Sequence, residues 1–301
     1  MRGLLRYICL TGLLSAAVPV LAQQTEKVNL EFADNLFGTV RDGQETRRLI
    51  GNVRLRQGTT VITCDSAYLY SQRNFVEAYS NVRLVQNDSI TITGNRGDYN
   101  GQTKQAAMRG NVVMNDGTKT LTTEELDYDM RTSVAYYPVD GTIVEADNTI
   151  TSQQGYYNTQ TKVFTFERDV VMLNPKYKLT SDKVIYNSLT KTAYFTTPTR
   201  IEGKDGTLVS TDGEYNTQTG ASVFRARSSI EYDTYTLTGD RLNYNKIENV
   251  GLATGNVLLY AKEDSVVVQG DTGRYFGQVG LSKIYGKALM QKLMQKDTLY
   301  I

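Results

Sequence analysis

No histidine occurs anywhere in the 301 residues of the chain. Imidazole is the commonest general base and metal ligand, so its absence removes Ser-His-Asp and Cys-His catalysis together with every imidazole metal site. Tryptophan is also absent, and of the two cysteines only Cys64 lies outside the N-terminal apolar run. A lone thiol has no disulfide partner, so packing and backbone pairing must hold the chain together. Cys64 reads as a half-buried strand residue rather than a reactive thiol. Charge of one sign is lacking too: 33 basic against 32 acidic groups leave a formal net charge of +1, with no Lys/Arg block, and nucleic acid is not an expected partner. Neither G-x-G-x-x-G nor G-x-x-x-x-G-K-[ST] nor G-x-S-x-G is present, and the glycine-rich nonapeptides of calcium-binding solenoids are missing. No catalytic residue, cofactor or metal site is expected.

What is present begins with an export signal over residues 1–22. Arg2 and Arg6 precede an apolar run through Leu13 and Leu14, and Val20-Leu21-Ala22 supplies small residues for cleavage. Cys9 sits at the start of that run, the wrong end for a lipid anchor, so the mature chain is expected to begin at Gln23.

The rest is a repeat. "ITGNRGDYN", "LTTEELDYD", "ITSQQGYYN", "LTSDKVIYN", "LVSTDGEYN" and "LTGDRLNYN" set Tyr99, Tyr128, Tyr157, Tyr186, Tyr215 and Tyr244 at intervals of 29, and "VQGDTGRYF" adds Tyr275 after 31 more. A worn first copy, "ITCDSAYLY", puts Leu69 in the same column. A fixed period of this length marks a stacked architecture in which each unit buries its apolar face against its neighbours. Within a unit, Thr, Val, Tyr and Ile alternate in short runs between corners of Gly, Asn and Asp, which is strand chemistry. No segment after residue 22 sustains a helical apolar pattern, so residues 23–301 are expected to form one all-β, elongated body. "QKDTLYI" at 295–301 matches the lead-in to earlier tyrosine strands, so the sequence reads as truncated in mid-repeat.

Two residues before the tyrosines, Gly97, Leu126, Gly155, Val184, Gly213, Leu242 and Gly273 alternate small with large. Two accounts fit: successive units run in opposite directions, with each bulky side chain filling the space beside the next glycine, or glycine marks a bulge in every second strand. Four residues before the tyrosines stand Asp65, Asn95, Glu124, Gln153, Asp182, Asp240 and Asp271. A position repeated in every unit is structural, an acid or amide bonding the turn backbone, whereas a catalytic acid pair for glycoside cleavage would be unique to one or two units. A second apolar column follows the corners: Val53, Val82, Val112, Ile143, Val170, Ile201, Ile230 and Val257. The two columns make apolar walls that either close as an ordinary core or, hinged along one side, leave a long groove. The candidate groove residues are Leu69, Tyr99, Leu126, Tyr128, Tyr157, Val184, Tyr186, Tyr215, Leu242, Tyr244, Val112, Ile143, Val170 and Ile201.

The strand "xTxDxxxYN" followed by "GNVxL", carried best by "GNVRLRQGTTVITCDSAYLY", "NVRLVQNDSITITGNRGDYN" and "GNVVMNDGTKTLTTEELDYD", resembles the OstA-like repeat of periplasmic lipopolysaccharide-transport proteins named for organic solvent tolerance, the LptA-like group. The resemblance covers residues 45–301. It implies a V-shaped β-jelly roll whose interior carries acyl chains, a periplasmic location, transport without chemistry, and lipopolysaccharide as the bound lipid. It further implies head-to-tail strand pairing with related jelly-roll proteins and association with an outer-membrane barrel. A free periplasmic bridge, the periplasmic part of a larger outer-membrane assembly protein, and a closed structural or adhesive solenoid all fit the residues.

Overall fold

The computed structural model describes residues 26–300, apart from 42, 205, 246 and 294–297. The export signal expected over residues 1–22 lies outside the described residues. Among the described residues the chain is all-β: 27 strands join edge to edge in one antiparallel sheet.

The unit of 29 residues is two strands rather than one. The strand Ile90–Asn100 carries Tyr99 and pairs on one side with Phe75–Gln86, on the other with Gln105–Asn115. Tyrosine strands of successive units are therefore separated by a return strand and run in the same direction, not in opposite ones. Two strand spacings per unit put consecutive column tyrosines roughly 10 Å apart along the stack.

Hairpin ends are made by the residue after the tyrosine. Asn100 Oδ1 accepts from Gln102 N at 2.9 Å and Thr103 N at 3.2 Å, and Asp129, Asn158, Asn187, Asn216 and Asn245 each make the same pair of bonds to the amides two and three residues on. A short polar side chain that satisfies two turn amides is the reason Asn or Asp follows the tyrosine.

Each long hairpin is bent once, at the Gly-Asn corner. Gly51-Asn52, Gly110-Asn111 and Gly255-Asn256 place two successive residues at positive φ, and the pairing register slips there, from Arg109 to Val112 in the central case. Ser80-Asn81 and Arg168-Asp169 adopt the same conformation without glycine. The column of acids and amides braces these corners: Asn81 Nδ2 donates to Asp65 at 2.8 Å, Asn111 N to Glu124 at 3.2 Å, and Asn256 Nδ2 to Asp240 at 2.6 Å. In four units the strand breaks at the bend, between Tyr137 and Gly141, Phe195 and Thr199, Phe224 and Ser228, and Tyr285 and Leu289. Pro138 and Pro198, which cannot donate to the ladder, stand in two of these gaps.

The corners form a spine along which the sheet folds over, so that every long strand contributes to both walls and one apolar core lies between them. On the tyrosine wall, one inward row reads Ala78, Gly97, Met108 and Leu126 across paired strands, and further along Gly155, Phe166 and Val184, then Gly213, Phe224, Leu242, Ala253, Gly273 and Ile284. The alternating glycines are in register and are not bulges. A Cβ on Gly97 would lie 2.8 Å from Met108 Sδ, and one on Gly213 2.7 Å from a Phe224 ring carbon. The space is filled by residues of the neighbouring return strands, and the alternation is a packing pattern.

Cys64 is buried, donates to Ser66 O at 3.2 Å, and has its thiol pushed up to about 11 by burial. Such a thiol is protonated and unreactive at neutral pH.

Candidate functional site

The tyrosine column forms the row nearest the edge where the walls meet again. Small residues of the return strands stand beside most of its members, Ala106 beside Tyr128, Ala135 between Tyr128 and Tyr157, and Ala193 beside Tyr186, which leaves those rings room to lean across the interior, while Phe164 stands between Tyr157 and Tyr186. The hydroxyls reach the other wall: Tyr99 donates to Gln57 Oε1, Tyr128 to Gln86 Oε1 at 2.7 Å, Tyr157 to Asp116 Oδ2, and Tyr186 to Glu145 Oε2 at 2.8 Å. The acceptors stand at intervals of 29, 30 and 29, a second periodic column that pairs with the first across 41 or 42 residues. Burial raises all four phenols, Tyr99 to about 12, so each stays a hydrogen-bond donor at neutral pH.

At the third and fourth rungs this seam is charged. Asp116 accepts from Lys162 Nζ at 2.8 Å, and Glu145 lies 3.1 Å from Lys191 Nζ. Lys162 and Lys191 occupy positive-φ positions at hairpin ends of the tyrosine wall, so both ion pairs cross the mouth. Lys119, 7% exposed, sits between the carboxylates at 3.7 Å from Asp116 and 3.5 Å from Glu145. Burial alone would raise Asp116, but its bonds from Lys162, Tyr157 and Thr118 outweigh burial and hold the carboxyl well below the usual range. Buried ions are stable here only because each is matched by an opposite charge and hydrogen bonds.

Beyond Glu145 the acceptor row continues as Asn174, Gly203 and Tyr232, and aromatic rings meet across the walls. Tyr177, on the acceptor side, packs edge-on against Tyr215 with ring centroids 5.1 Å apart, while Tyr232 meets Tyr275 at 6.3 Å. Tyr215 and Tyr244 are only half-buried. A cleft of about 90 Å³ opens between the walls, lined by Tyr177, Ile201, Leu208, Tyr215, Ile230 and Tyr244. A second, narrow one of about 10 Å³ shares Ile230, Tyr232 and Tyr244 and continues to Leu259 and Ile284.

The structure thus divides the candidate groove residues. All point into one interior, but Leu69, Tyr99, Leu126, Tyr128, Tyr157, Val184, Tyr186, Leu242, Val112, Ile143 and Val170 are at most 3% exposed, packed where an open trough was one of two expectations. Tyr215, Tyr244 and Ile201 line the cleft between the walls. The second apolar column is two rows: Val112 and Val170 follow the corner directly, at the pairing level of Gly141 and Thr199, so Ile143 and Ile201 sit one step nearer the mouth. The three-residue strand breaks hide that offset in the sequence. Sequence reasoning missed the acceptors Gln57, Gln86, Asp116 and Glu145, whose spacing was a readable signal, and the cleft residues Tyr177, Leu208, Tyr232 and Ile284, which carry none.

Among solved structures the chain is similar to LptH from Pseudomonas aeruginosa, the LptA homologous periplasmic component of the conserved lipopolysaccharide transport device. Identity is 14% over 33% of this chain and 75% of that one, with a TM-score of 0.31. No curated protein matches. Residues 25–182 and 179–240 match the family described as OstA-like protein. With its registered repeat, its all-β sheet and that match over most of its length, the chain belongs to the OstA-like protein family.

Proposed function

We propose that the protein is a non-enzymatic carrier that binds lipopolysaccharide in the periplasm and passes it toward the outer membrane, holding acyl chains in its apolar interior. The observation that carries this reading is the cleft from Tyr177 to Ile284 in a chain of this family: an apolar, aromatic-lined opening continuous with a long apolar core. Removing acyl surface from water there contributes about 25 cal/mol per Å². The polar head remains outside between the walls. The closed seam supports the cleft as the part accessible at rest, with Tyr215, Ile230 and Tyr244 as the residues of first contact in this reading. Leu69, Tyr99, Tyr128 and the other packed positions become acyl contacts only as the walls separate.

End-to-end strand pairing with related jelly-roll proteins, and docking to an outer-membrane barrel, belong to the same proposal. Support comes from the strand Asn35–Arg41, which among the described residues pairs only with Gln44–Gln57 and exposes Leu36, Phe37 and Val40; an open, apolar edge of this kind invites another strand. The packed interior between Leu49 and Phe195 favours a second reading, a closed structural solenoid. A photo-crosslinker at Ile230 separates the two: capture of lipopolysaccharide supports the carrier, and no capture at any cleft position supports the scaffold.

A further inference from the structure

The seam is graded along its length, and the grading coincides with the change from closed to open. Its first two rungs are neutral, tyrosine to glutamine. The next two are ionic, with Lys162 and Lys191 reaching across the mouth from hairpin ends of one wall to Asp116 and Glu145 on the other. Immediately past Glu145 the row turns to Asn174 and Gly203, and the cleft begins. The strongest side-chain links across the mouth therefore stand at the boundary of the open segment. Apolar rings lie directly beneath them: Tyr157 stacks on Phe164 at 4.0 Å, Phe164 on Phe166 at 5.4 Å, and Val184 is fully buried.

Core packing does not need ions at this place, since the neutral rungs close the mouth over Leu84 and Ile92 without any. A row of ion pairs over an apolar channel has a different property. The lysines are 28% and 33% exposed, so they can exchange a carboxylate for water without being buried unpaired. Lys119 stays behind to neutralise Asp116 and Glu145 in part. Both halves of the opened clasp are provided for.

We propose that Lys162–Asp116 and Lys191–Glu145, with Tyr157 and Tyr186, form a latch that holds the interior shut next to the open cleft and releases one unit at a time. In a carrier this is the step that admits a chain from the cleft into the closed segment; that role rests on the reading above, whereas the latch itself does not.

The test uses full-length protein with Cys9→Ser and Cys64→Ser, which leaves the chain without a thiol, and one of two probes: Val184→Cys under the ionic rungs or Leu84→Cys under the neutral ones. The rate of labelling by a small maleimide reports opening above each probe. Replacing both cross-mouth lysines, Lys162→Gln with Lys191→Gln, is expected to speed labelling at 184 at least tenfold and leave labelling at 84 unchanged. Tyr186→Phe, which keeps the ring and removes the hydroxyl, is expected to give a smaller rise at 184 alone, and decides the matter if the double variant does not fold. An unchanged rate at 184 in folded protein overturns the latch, as does an equal rise at both probes, which is global unfolding. The readout contains no lipid: failure of lipopolysaccharide to bind the cleft sinks the carrier and leaves this result standing.

Discussion

At the scale of single residues, absence of a side chain does as much as its presence. A Cβ on Gly155 would lie 2.4 Å from Tyr137 Oη and 2.6 Å from its Cζ. Tyr137 is fully buried and its hydroxyl is bonded to Ser152 Oγ at 2.6 Å, so the ring has no free direction in which to yield. Gly155→Ala is expected to cost about 1–3 kcal/mol, the usual penalty of overpacking, read as a lower Tm in thermal unfolding. Asp116 gives a pH prediction. Its folded carboxyl is held below the ordinary range, so the stability it contributes is present at neutral pH. That contribution is lost as pH falls below the unfolded value of about 4 toward the folded one. Asp116→Asn should flatten this acid limb in a Tm-against-pH series. A limb of unchanged steepness would mean that the carboxylate is not held by Lys162 and Tyr157.

At the scale of elements, the corner is the device that makes a flat hairpin into two walls. Gly110 is fixed twice, by φ of +77° and by Asn95, whose Nδ2 lies 2.8 Å from where a Cβ would be. Gly110→Ala is expected to cost about 1–2 kcal/mol from the left-handed conformation alone, and more if Asn95 must move. Asn111→Asp, which tolerates the same φ, should cost less; chemical denaturation of the two variants checks the order. Much of this level was legible in the sequence. The tyrosine strands and the bracing acids and amides recur at 29 residues, and recurrence survives ignorance of the fold. The direction of the strands was not legible, because a period gives the length of a unit but not how many times the chain turns within it. Nor was the offset of Ile143 and Ile201, since a proline-marked break and a two-residue bulge occupy the same place in the alignment while shifting the inward face differently.

At the scale of the whole molecule, one row of residues decides what the interior can do. Where it carries Gln57, Gln86, Asp116 and Glu145, tyrosines are clasped and the core is closed; where it carries Gly203 and Tyr232, the walls part. The sequence showed the walls but not whether they touch, because clasped partners are 41 or 42 residues apart, about one and a half units, and fall in no common column. Tyr128 and Tyr215 are identical by repeat position and differ only in what faces them. The most direct test is a scan of photo-crosslinkers at Tyr99, Tyr128, Tyr186, Tyr215, Ile230 and Tyr244, with labelled lipopolysaccharide at a concentration near half-saturation. Capture is expected at 215, 230 and 244, and several-fold less at 99 and 128. Equal capture along all six positions, or strongest capture at 99 and 128, would contradict an interior that is shut at one end and open at the other.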